Sequence, residues 1–205
     1  MPIFPHISRS AAARKALAAR ESLDTQATCA ARRHFFDAPR FQTYATFFPL
    51  WGGWASAGHC LTETGGLCPP FASGRCISWP DGLDAALIGC TLPDTPPPPP
   101  YAGQRLLAEG FPAGSRHLET RAGAAYLERM PGQWIVQMND GEEPVVTGMS
   151  GGPVRDAASR KPLGILITRN SPADLDADGD ADQSYDFIAL AAVWTALRNS
   201  GRPKA

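Results

Sequence analysis

A chain of 205 residues, 43% hydrophobic and 19% charged, is the size and polarity of a globular protein with one substantial core, or two small barrels sharing an interface. With a formal net charge of −1, nothing suggests a general polyanion binder, and no nucleic-acid partner is expected. No apolar run approaches the ~18 residues of a membrane-spanning helix, so no membrane association is expected either.

Twenty glycines and twenty prolines favour short strands joined by turns over a helical bundle. Residues 8 to 34 carry strong helix formers and no Gly or Pro, and a helix is expected there. The arm over 1–40 is Ala/Arg-rich, and two readings stand: a helical cap, or an organelle-targeting segment. It lacks the continuous apolar stretch of a secretory signal, so cytoplasmic residence is the default expectation.

From Phe41 the pattern turns to strands. "FQTYATFFPL" and "WASAG" read as a pair turned by Gly52-Gly53, and "GRCISWP" and "DAALIGC" as a second pair. A proline-rich stretch, 93–100, follows with five consecutive prolines, which cannot enter a sheet ladder. It reads as a linker between two halves or as a partner-binding tract. Beyond it, "QRLLAEGF", "HLETRAGAAYLE", "QWIVQM", "GGPVRD", "PLGILIT" and "YDFIAL" are candidate strands, and "LAAVWTALRNSG" closes as a helix. The expected fold is all-β: two packed antiparallel barrels (41–92 and 101–205), with helices at both ends.

Three stretches carry chemistry. In "GMSGGPV" Ser150 stands among glycines, the setting of a nucleophile in a tight turn or of an ordinary Gly-rich turn. A serine nucleophile needs a base and a group that orients it. In "SAGHC" small residues before His59 let the backbone pack closely and present the imidazole from a strand end. In "DAALI" Asp84 leads directly into an apolar strand, as a strand-start solvation device or as a carboxylate that fixes an imidazole tautomer. Asp81, in a "PDG" turn, is the rival acid.

"WASAGHC", "DAALI" and "GMSGGPV", in that order, resemble the three signature blocks of the trypsin-like (chymotrypsin-fold) serine peptidases, over roughly residues 41–192. The resemblance implies two six-stranded-type barrels with the proline stretch as connector. It implies His59 as general base and acid, Asp84 as its orienting carboxylate and Ser150 as nucleophile. The N–H groups of Gly148 and Ser150 would form the oxyanion hole, and no cofactor would be required for catalysis.

The chain also departs from the family. Met149 stands where animal digestive members carry the aspartate of the zymogen ion pair, and Cys60 has no cysteine upstream in 41–55, so the usual disulfide there cannot form. Only 25 positions separate His59 from Asp84, so the first barrel must be shortened, as in compact bacterial members. Pro144 falls where trypsin-like specificity needs a basal aspartate. Thr147, Ile167, Thr168 and Arg169 are the other expected pocket residues, with Arg169 either a selector for acidic side chains or a solvated loop residue. In "DLDADGDAD", Asp174, Asp176 and Asp178 match the opening of a calcium loop, but Tyr185 occupies the twelfth position, where a Glu belongs. A stabilising Ca2+ ion and a solvated acidic loop are both open. The expected function is a serine endopeptidase acting on protein or peptide substrates; the alternative is an inactive binding module on the same fold. The sequence does not fix the oligomeric state.

Overall fold

The computed structural model describes residues 29–34, 41–62, 77–113, 115–167 and 184–200. The first half is a five-stranded antiparallel sheet in the order β1-β2-β3-β5-β4. Its strands are β1 (Cys29–His34), β2 (Phe41–Leu50), β3 (Gly53–Ser56), β4 (Ile77–Ser78) and β5 (Ala86–Ile88). The short helix α1 (Gly58–Thr62) follows β3. The second half is a closed six-stranded barrel, β10-β11-β8-β7-β6-β9. It comprises β6 (Arg105–Gly110), β7 (Glu119–Met130), β8 (Gln133–Met138), β9 (Pro153–Asp156), β10 (Pro162–Ile167) and β11 (Ser184–Ala189), and helix α2 (Leu190–Ser200) ends it.

Both halves match the expected all-β architecture, with the first one cut down. The short helix Gly58–Thr62 is not among the expected elements, since "WASAG" reads as strand through Gly58, and one further element differs. Cys29–His34, expected at the end of a helix, is a strand paired with β2, from Cys29↔Phe47 to His34↔Phe41. Ala and Arg favour helix only weakly per residue, whereas the ten-residue β2 would otherwise expose a row of unpaired N–H and C=O groups. Pairing wins over propensity. The rest of the expected arm lies outside the described residues.

Turn chemistry sets the registers. Leu50 pairs with Gly53, so Trp51 and Gly52 form the two-residue loop between β2 and β3, one position earlier than the glycine pair implied. Both have positive φ, 49° and 77°, the requirement of the hairpin turn whose twist matches its strands. Gly53 is instead needed for packing, because a Cβ there would lie 2.3 Å from the Ile88 carbonyl oxygen.

Two cores meet along β10. Phe47, Phe48, Trp54, Leu87 and Ile88 of the first half pack with Ile165 and Ile188 of the second. Leu166 faces the other way, into a core with Leu106, Val136, Val154 and Phe187. Alternation along one strand therefore serves both halves. The proline stretch lies between β5 and β6 with neither helix nor strand. Trp194 of α2 donates its indole N–H to the Pro93 carbonyl at 2.8 Å, fastening helix to connector. Among the described residues no helix is long and apolar enough to cross a membrane.

Trp194→Phe keeps an aromatic side chain, smaller than the indole, and deletes that donor. It should lower stability by about 1 kcal/mol, the net worth of one such bond. The urea midpoint should fall with the slope unchanged.

Candidate active site

The pairing of β3 with β5 builds the first part of the site. Ser56 sits opposite Ala86 and Ala55 opposite Leu87, so the same register continued past the strand ends brings Asp84 beside Gly58 and His59. The Asp84 carboxylate grips His59 twice. Oδ1 accepts the His59 backbone N–H at 2.7 Å, and Oδ2 lies 2.6 Å from the ring Nδ1. Gly58 makes room for this, since a Cβ there would be 2.9 Å from Asp84 Oδ1. The rival Asp81 lines a shallow groove against α2 with Leu83 and Thr195.

The two-point grip has an electrostatic consequence. Hydrogen bonding to Asp84, reinforced by the Cys60 sulfur, outweighs the effect of burial and raises the His59 pKa from 6.5 to about 10. Burial pushes Asp84 the other way, upward, but the bonds from His59 and Gly58 prevail and its pKa is lowered. The pair is therefore biased toward imidazolium and carboxylate.

The second part is the turn carrying Ser150, between the 139–147 segment and β9. Its carbonyls are held one by one. Thr147 O accepts from Ala113 N at 2.7 Å, Met149 O from Gly152 N at 3.0 Å, and Ser150 O from Thr46 N at 2.8 Å. Gly148 O accepts the Thr46 hydroxyl at 2.8 Å. Gly148 and Gly151 have φ of 96° and 87°, in the region closed to most other residues. Gly151 also touches the first half so closely that a Cβ would sit 2.1 Å from Ser56 Oγ. Met149 is fully buried, packed with Val145, Met138 and Tyr185 in the barrel core.

Cys60 links the two parts. Its sulfur lies 3.6 Å from His59 Nε2 and donates to the Ser150 carbonyl oxygen at 3.6 Å. His59 Nε2 and the Ser150 backbone thus border one atom. Cys60 is a buried thiol, not half of a disulfide.

No protein-family model matches the sequence, and a search of curated proteins finds no match. Solved structures do match. An active-form protease from M. tuberculosis aligns with a TM-score of 0.54 at 15% identity, over 100% of this chain and 92% of that one. The serine protease domain of the Sesbania mosaic virus polyprotein aligns at 0.52 and 16%, over 76% and 86% of the two chains. The chain has the trypsin-like serine protease fold. Human heparin binding protein shares it, with a TM-score of 0.55 at 14% identity over 80% of this chain and 90% of that one.

Within the trypsin-like fold, the expected pocket residues are spread out. Pro144 and Thr147 are exposed, with the Pro144 carbonyl accepting from Arg121 Nε at 3.4 Å. Ile167 is 9% exposed and belongs to the core shared by the two halves. Thr168, Arg169 and the acidic stretch with Asp174, Asp176 and Asp178 lie outside the described residues. Among the described residues no cluster of three or more His, Cys, Asp or Glu is arranged to hold a metal. Two residues near the site carry no sequence signal of their own. Arg121, in β7, braces the segment leading to Ser150 through Glu143 and the Pro144 carbonyl. Thr46, in β2, is 102 positions from the carbonyl its hydroxyl meets.

The His59 ring should titrate well above 6.5 by NMR, and Asp84→Asn should bring that titration down, because it removes the anion that holds the proton. A wild-type ring titrating near 6.5 would contradict the raised pKa.

Proposed function

We propose that the protein is a serine endopeptidase that works through an acyl-enzyme. The observation that carries this reading is the two-point contact of Asp84 with His59, made beside a rigid glycine turn that bears Ser150. The Asp84 bond to Nδ1 fixes the tautomer in which Nδ1 carries the proton and Nε2 is the basic nitrogen.

In the proposed reaction, Ser150 Oγ attacks the scissile carbonyl carbon and its proton passes to His59 Nε2. The carbonyl oxygen becomes an oxyanion facing the N–H groups of Gly148 and Ser150. Collapse of the tetrahedral intermediate breaks the C–N bond, and His59 gives its proton to the departing amine. A water molecule then attacks the acyl-Ser150 ester by the same route, releasing the acid and restoring the serine. Fixed donors matter because the charge they meet exists only in the transition state; losing one costs roughly 10²–10³ in rate. Protein groups alone supply these steps. Pro144, exposed and uncharged, offers nothing to select Lys or Arg before the cut.

The raised His59 pKa bears on the pH dependence. Nε2 accepts a proton only when the ring is neutral, so the rising limb of kcat/KM should lie above pH 6.5 and move down in Asp84→Asn. That variant should also lose about 10⁴ in kcat, the scale seen when the orienting carboxylate of such a triad becomes an amide.

A second reading, a binding module without catalysis, draws on the raised His59 pKa, which disfavours the neutral ring that catalysis needs, and on the same fold in a human protein named for binding heparin. A fluorophosphonate probe separates the two. The endopeptidase reading expects stoichiometric labelling of the wild-type protein and none of Ser150→Ala. Wild-type protein that resists the probe from pH 7 to 10 would support the binding module instead.

A further inference from the structure

Thr46 sits in the middle of β2 and is fully buried. All its polar groups are used, and together they contact the Ser150 turn, Ser56 and Phe111. Its N–H donates to the Ser150 carbonyl at 2.8 Å. Its carbonyl accepts from Ser56 Oγ at 2.9 Å, three positions before His59. Its hydroxyl donates to the Gly148 carbonyl at 2.8 Å and accepts the Phe111 N–H at 3.0 Å. The hydroxyl's orientation is unambiguous, because a carbonyl only accepts and an amide N–H only donates.

The peptide plane explains why this matters. In a trans peptide the C=O and N–H point in opposite directions, so anchoring a carbonyl aims the next residue's amide. Thr147 O is held by Ala113 and Met149 O by Gly152, which aims the N–H groups of Gly148 and Ser150. The plane between these two donors is the Gly148–Met149 peptide. Its orientation sets the angle from one donor to the other. Two contacts hold that plane, the Thr46 hydroxyl on its carbonyl and the Val146 carbonyl on its N–H, the latter at 3.1 Å. Gly148, with no Cβ, would resist rotation of this plane least of any residue.

We propose that Thr46 is a positioning residue whose hydroxyl locks the Gly148–Met149 peptide and so holds both oxyanion donors in working geometry from the moment the chain folds. Met149 has no charge with which to receive a newly formed amino terminus; its side chain is fully buried in apolar surroundings. The Thr46 hydroxyl on the Gly148 carbonyl and the Val146 carbonyl on the Met149 N–H are the polar ties of this peptide, and the first reaches it from the other half of the molecule. The enzyme is then active without proteolytic activation. Removing the hydroxyl leaves a buried carbonyl and the Phe111 N–H without this partner, a state that rotation of the peptide relieves at the expense of the donor geometry. This inference rests on the endopeptidase reading and refines it.

The test compares the full-length wild type with Thr46→Val, which keeps the shape, and Thr46→Ser, which keeps the hydroxyl. Peptide hydrolysis and the rate of fluorophosphonate labelling at Ser150 are measured at matched folded fractions. Thr46→Val should lose roughly 10²–10³ in kcat, the loss expected when an oxyanion donor is misplaced, with KM changed less than about threefold. Thr46→Ser should recover most of the loss. A Thr46→Val variant with wild-type kcat overturns the proposal, and so does a Thr46→Ser variant as slow as Thr46→Val, since packing of the methyl would then be what counts. Should Thr46→Val fail to fold, Thr46→Ala is read in its place by the same criteria. Wild-type protein without Ser150-dependent labelling defeats the endopeptidase reading itself; a labelled wild type beside an equally fast Thr46→Val defeats only the role of Thr46.

Discussion

Gly151 rests against β2 and the end of β3 in the first sheet with no room for a side chain. A Cβ there would lie 2.3 Å from the Thr46 carbonyl oxygen and 3.0 Å from the Ala57 nitrogen. The site depends on this close approach, because the Ser150 turn comes from the barrel while His59 and Asp84 come from the sheet. Backbone meets backbone at the seam, so the relative position of the two halves is set by hydrogen bonds of fixed length. The Thr46 N–H to the Ser150 carbonyl and the Gly151 N–H to the Leu166 carbonyl, both 2.8 Å, hold the turn from opposite sides. A longer side chain at the seam would widen it and leave several of these groups unpaired.

That arrangement is demanding energetically. Thr46, Ser56 and Ser150 are all buried, and each buried polar group left without a partner costs roughly 1–3 kcal/mol. A network of this kind is stable when complete and poorly tolerant of partial loss. Charges elsewhere follow the same rule. Buried Glu109 is met by Arg155 and Arg160, buried Asp186 by Arg129 and Gln133, and buried Arg121 by Glu119 and Glu143. The apolar surroundings of Met149 complete the picture: a charge at that position would need a partner in the barrel core, whereas a thioether needs only volume.

Much of this was legible in the sequence, for identifiable reasons. Strands β6 to β11 follow from apolar and β-branched runs cut by Gly and Pro, and the His59, Asp84 and Ser150 stretches stand out because, in that order, they resemble the three signature blocks of the trypsin-like serine peptidases. Asp84 is preferred to Asp81 in the sequence because it abuts an apolar strand while Asp81 sits in a turn; that strand register carries it to Gly58 and His59 is visible only once the chain is folded. Cys29–His34 misled because helix propensity is weak beside the pull of an open strand edge. Thr46 was invisible for a different reason. In "FQTYATFFPL" it reads as one β-branched residue among others, and its partners lie on β3, after β6 and in the Ser150 turn. No local pattern encodes such a junction.

The central claim is that Ser150 is a nucleophile in a hole already formed by its own turn. A crystal structure of the protein treated with a small phosphonate inhibitor tests this most directly. The account predicts phosphorus bonded to Ser150 Oγ, one phosphonyl oxygen about 2.7–3.1 Å from the N–H groups of both Gly148 and Ser150, and a turn unchanged from the free protein. An unmodified Ser150, or an adduct whose oxygen points away from those two amides, would contradict it.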